Sequence, residues 1–142
     1  TSTHAFSGIP KESPFAKWNY GNKSGFGKQV LGETWVTHWG NHKKEGTRSV
    51  FETANLKHPV LRGVDEIFGT TDVYAVKNLD LSKATILLRG AVTETLHDRS
   101  VPIRGPKNDP MQALAWLFNY TAPDGKTQGK SFCTTMGAAG CQ

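Results

Sequence analysis

The sequence lacks any run of about 18 or more apolar residues, so no helix in it is expected to span a bilayer. Its longest apolar stretches, such as Ala84 to Leu88 (ATILL), are of strand length. It also lacks a basic cluster: Lys43-Lys44 is the densest, and the other cations stand among carboxylates. A net charge of +5 and a pI near 9.3 therefore describe a mildly basic surface, and no nucleic acid is expected as partner. Cysteine is scarce. Cys133 and Cys141 make neither a disulfide framework nor a zinc-finger spacing, and they leave the compartment open. Internal repeats, low-complexity tracts and convincing amphipathic helices are absent as well.

What is present is one domain's length, 142 residues, with 15 glycines and 7 prolines that call for many loops. The densest chemistry lies in Gln29 to Arg48, QVLGETWVTHWGNHKKEGTR, which holds two tryptophans, two histidines, two glutamates and an arginine. A cluster of this kind is more often a pocket wall than a core. Before it, Thr1 to Phe6 reads as a strand end that carries His4 into a loop, and Glu12 to Lys28 as a long loop with aromatic anchors. After it, Ser49 to Ala54 suggests a short strand, and His58-Pro59 opens a helical turn through Gly63. Asp72 to Val76 alternates as a strand should, and Ala84 to Leu88 is continuously apolar, as in a strand covered on both faces. Residues 94–110 form an irregular connection. Ala113 to Tyr120 is a further strand or short helix, Pro123 to Lys126 a turn, and Gly129 to Thr135 a last strand with Cys133 buried in it.

Seven segments in order resemble the trehalose-utilisation (ThuA-like) domains. They are TSTHAF (Thr1 to Phe6), FGKQVLGE (Phe26 to Glu33), HWGNH (His38 to His42), HPVLRGV (His58 to Val64), TDVYAV (Thr71 to Val76), ALAW (Ala113 to Trp116) and GKSFCTTMG (Gly129 to Gly137). The likeness is greatest to a bacterial branch with a HAF strand end and a KNDPM segment, here Lys107 to Met111. Two departures stand out: Leu117 follows Trp116 where the family often has threonine, and the turn before the last strand reads Gly125 to Lys130. The resemblance implies an α/β, flavodoxin-like fold of the class I glutamine amidotransferase type, a three-layer sandwich. Residues 1–142 would be a partial domain, strand-rich, without the first strands and the closing helix. Exposed strand edges in such a piece would favour a homo-oligomer. The resemblance also implies catabolism of a disaccharide or keto-sugar, with a small carbohydrate as partner and no cofactor. No cysteine stands beside His4, which argues against amidotransferase chemistry.

The residues themselves support a polar pocket. His38 and His42, four apart, would face one side of a helix and could share a metal with Glu33, His4 or Asp72. Gly40 and Gly46 weaken that helix, so metal ligation is set aside in favour of acid–base work or hydrogen bonding to hydroxyls. Glu33 is the first choice of carboxylate, ahead of Asp72 and Glu45. The expected catalytic group is therefore His4, Glu33, His38 and His42. Trp35 or Trp39 would stack on a pyranose ring, and Arg48 and Asp72 would bind substrate. Two further readings stay open: a non-catalytic carbohydrate-binding module, and a metal-dependent hydrolase.

Overall fold

The computed structural model describes residues 11–14, 16, 25–33 and 36–136. The Thr1 to Phe6 strand end, His4, Trp35 and Cys141 lie outside them. Five strands form one sheet: β1 (Thr47–Phe51), β2 (Phe68–Gly69), β3 (Ala84–Val92), β4 (Gln112–Thr121) and β5 (Gln128–Thr134), in the order β2-β1-β3-β4-β5. The sheet is antiparallel. β1 pairs with β2 through Thr47↔Gly69 and with β3 through Thr47↔Val92 to Phe51↔Leu88.

This corrects the expected flavodoxin-like sandwich. A parallel sheet needs a crossover of a dozen or more residues, usually a helix, between neighbouring strands. The described residues offer no helix of that length, only a π-helical turn at Gly27–Leu31 and 3-10 turns at Thr53–Asn55 and Pro59–Leu61. The sequence lacks the 3.6-residue apolar period that would build such helices. The two central strands are instead apolar enough to bury themselves: β3 is buried at Leu87, Leu88 and 90–92, and β4 at 113–116 and Phe118. β4 and β5 are joined by a tight turn in which Asp124 accepts from the amides of Lys126 and Thr127. Among the described residues no helix is long and apolar enough to cross a membrane.

The Asp72 to Val76 segment is not a strand either. It makes an isolated antiparallel bridge, Tyr74 to His38, flanked by bonds from the Trp39 and Gly40 amides to the Val73 carbonyl and from the Ala75 amide to the Thr37 carbonyl. Alternation here marks a segment laid against an irregular partner, with Val73 and Ala75 buried and Tyr74 half-buried.

The chain packs as two compact units. The first comprises Thr1–Val36, Val76–Thr85 and Leu117–Cys133, and the second Thr37–Ala75, Ile86–Trp116 and Thr134–Gln142. In the second, Val73, Leu87, Val92, Leu114 and Trp116 are at most 1% exposed. Each such aliphatic side chain contributes about 1.5–3 kcal/mol by leaving water. In the first, Val30, Phe118 and Cys133 are buried, and the Ser131 hydroxyl donates to the Val30 carbonyl. Glu33 is buried here and accepts from the Asn78 amide at 2.6 Å, while Lys28 donates to the carbonyls of Gly32 and Asn78.

Gly32 ends the π-helical turn at φ 88°. A Cβ there would stand 2.5 Å from Phe118 Cδ2 and 2.9 Å from Leu79 Cδ1. Backbone strain and overpacking act together, so Gly32→Ala is expected to cost about 2–4 kcal/mol. Urea unfolding checks this, and a loss below about 0.5 kcal/mol would contradict the packing described. Burial, with the nearby Glu33 carboxylate, pushes the Cys133 thiol up to about 11. At pH 8 its thiolate fraction is then roughly a hundredfold below that of an ordinary thiol. A Cys141→Ser variant should accordingly resist alkylation until denaturant is added, and fast labelling of the native protein would count against a buried thiol.

Candidate functional site

Three of the polar residues singled out in the sequence meet in the second unit. Asp72 has a side chain with 0% exposure, and His38 and His42 stand over it with side chains 38% and 42% exposed. His38 Nδ1 lies 2.6 Å from Asp72 Oδ2, and His42 Nδ1 lies 2.8 Å from Asp72 Oδ1. One carboxylate thus holds two imidazoles, an oxygen to each. A buried carboxylate without partners costs several kcal/mol, so Asp72 and the histidines require one another. The ring centroids are 4.7 Å apart at 43°, and the Tyr74 ring meets His38 edge-on at 5.4 Å.

The way the histidines meet differs from the expected helix. His38 is fixed by its bridge to Tyr74. The chain then turns at 42–44, where Lys43 takes φ 61° and the amides of Lys44 and Glu45 bond to the Asn41 carbonyl. That turn carries His42 back over Asp72. Gly40 allows the approach, since a Cβ on it would sit 3.2 Å from Asp72 Cβ and 3.3 Å from the Val73 amide nitrogen. The glycine that argues against a helical pair is what lets this pair form.

A second clamp stands behind the turn. Glu45, 7% exposed, takes the Lys107 ammonium at 2.7 Å on each oxygen and accepts from Asn41 N and Nδ2 at 2.6 and 2.9 Å. The Trp39 indole Nε1 donates to the Lys107 carbonyl at 2.8 Å. Lys107 is held in turn by its neighbour Asn108, whose side chain bonds to both main-chain groups of Val92 and to the Ile103 carbonyl. Nothing local in the sequence marks Lys107 as part of this site. It lies 62 residues from Glu45, and only the fold brings them together.

The other expected residues have partners of their own or fall outside the described residues. Arg48 pairs with Glu66 at 2.6 Å, donates to the carbonyls of Asp98 and Ser100, and lies 5.3 Å from the centre of the Phe68 ring. Trp39 is tied by its indole N–H to the 107 carbonyl. Glu33 belongs to the first unit, where its carboxylate meets the Asn78 amide. His4 and Trp35 are not among the described residues.

Chemically the cluster offers two things. Imidazole exchanges protons near neutral pH, and a carboxylate on one ring nitrogen fixes ring orientation and tautomer. Two imidazoles and a carboxylate are also a donor set for a transition metal, and one ligand atom from each lies within 4.8 Å of the others. Lys107→Met removes a charged partner from a nearly buried carboxylate, which is expected to cost about 1.5–3 kcal/mol in denaturant unfolding. Lys107→Arg should recover part of that loss, and equal stability of Lys107→Met and wild type would show the clamp to be idle. No protein-family model, curated protein or solved structure matches the chain.

Proposed function

We propose that the chain acts on a carbohydrate, a disaccharide or keto-sugar, at the centre formed by His38, His42 and Asp72. The observation that carries this reading is the buried Asp72 carboxylate holding two half-exposed imidazoles by their Nδ1 atoms. Both rings are thereby locked without being withdrawn from solvent. Polyhydroxylated substrates present hydroxyl and carbonyl oxygens a few ångströms apart. Two oriented imidazoles can serve two such oxygens, one giving and one accepting a proton. The carbohydrate class rests on the sequence resemblance alone, and the paired imidazoles are what support acid–base chemistry at this centre.

The test is turnover of a 3-keto-disaccharide by the chain and its variants. His38→Ala and His42→Ala are each expected to lower kcat by about 10²–10⁴-fold. His97→Ala, whose exposed ring pairs with Asp98 elsewhere, should leave the rate unchanged. Rates in the His38 and His42 variants equal to wild type would remove the assignment. Saturable sugar binding with no product after long incubation would make the site a non-catalytic carbohydrate-binding module instead.

A further inference from the structure

We propose that His38, His42 and Asp72 bind a divalent first-row transition-metal ion, with one nitrogen from each imidazole and one carboxylate oxygen as ligands. The proposal rests on the preceding reading for the use of the site, but its evidence is the donor set. Two histidines and one carboxylate, with further positions left open, are the ligand complement of catalytic zinc and of non-haem iron centres. The three donor atoms already lie within 4.8 Å of one another. An ion at about 2.0–2.2 Å from each ligand would need them roughly 3.4 Å apart. The Nδ1 atoms of His38 and His42 stand 2.6 and 2.8 Å from different Asp72 oxygens, so the ring that already meets the ligating oxygen need draw back by less than about 1 Å, and the other must turn from its own oxygen toward the ion.

Charge and access point the same way. The carboxylate is fully buried, while both rings are open to solvent on one side. An ion entering there would meet the carboxylate at the floor and the two imidazoles at the rim. Its remaining positions would face solvent, open to water or to a substrate oxygen. Ligation through Nδ1 would require each proton shared with Asp72 to be lost there and the ring to carry its proton on Nε2 instead, so that each histidine binds as a neutral imidazole. Imidazole with carboxylate suits zinc, iron, cobalt or nickel better than magnesium or calcium, which favour all-oxygen shells. The exposed His97–Asp98 pair has a similar distance, 2.9 Å, but it is not among the three-residue groups with metal-ligand geometry. It is therefore an internal control.

Untagged protein stripped by chelator would be titrated calorimetrically with Zn²⁺, and with Co²⁺, whose visible absorption reports its coordination. One ion per chain is expected. His38→Gln, His42→Gln and Asp72→Asn should each weaken binding by at least about tenfold. His97→Gln should not. Thermal unfolding separates misfolding from ligand loss, and the two histidine variants keep the test intact if Asp72→Asn does not fold. Absence of saturable binding, or binding unchanged in both His38→Gln and His42→Gln, overturns the proposal. The two readings fail separately. Chelator-insensitive sugar turnover that is lost in His38→Ala would remove the metal and keep the enzyme, whereas stoichiometric metal without turnover would do the reverse.

Discussion

A carboxylate with no solvent exposure has to be satisfied where it stands, and Asp72 stands between Thr71 and Val73, both buried. It cannot swing out without dragging core residues into water. Its desolvation is offset by groups that come to it, and among the described residues those groups include His38 and His42. The backbone of the same segment adds to this, since the Val73 carbonyl takes the amides of Trp39 and Gly40. Residues 37–42 are thus fastened to 72–75 by both main chain and side chain, although neither segment belongs to a strand. The ring geometry at the surface is a consequence of a requirement in the interior.

The Glu45–Lys107 pair meets a similar requirement on the other side of the turn. Irregular segments have no ladder to satisfy their polar groups, so they depend on side chains for it. Asn108 shows how: its amide takes both main-chain groups of Val92, as a neighbouring strand would. That fixes the connection after β3 and delivers Lys107 to Glu45, which in turn caps the Asn41 amide. Two clamps, one anionic centre each, hold the loop that carries the histidines.

The parts of this arrangement legible in the sequence are those governed by local pattern. The apolar run Ala84 to Leu88 lies in β3, which continues to Val92; the last strand expected at Gly129 to Thr135 is β5, Gln128–Thr134; and the turn at Pro123 to Lys126 lies between β4 and β5. Asp72 to Val76 alternates equally well and forms only a bridge, because its inward residues pack against an irregular neighbour. The flavodoxin-like architecture came with the resemblance and not with the residues, which carry no amphipathic helix for it. His38 and His42 do come together, but by a turn. That turn depends on Lys43 at positive φ and on a close approach at Gly40, neither of which spacing reveals. Lys107 and Asn108 could not be placed at all, since their roles exist only across long sequence separations.

The location of the cluster bears on its use. Had the two histidines lain on a helix, their rings would project in parallel from a rigid rod, and their separation would be set by the helix pitch. Here the separation is set by the width of one carboxylate, whose two oxygens each take one ring. The geometry therefore follows the Asp72 carboxylate and not a backbone period. The proposed proton transfer and the proposed metal binding would draw on the same feature, two half-exposed imidazoles oriented by a single buried carboxylate.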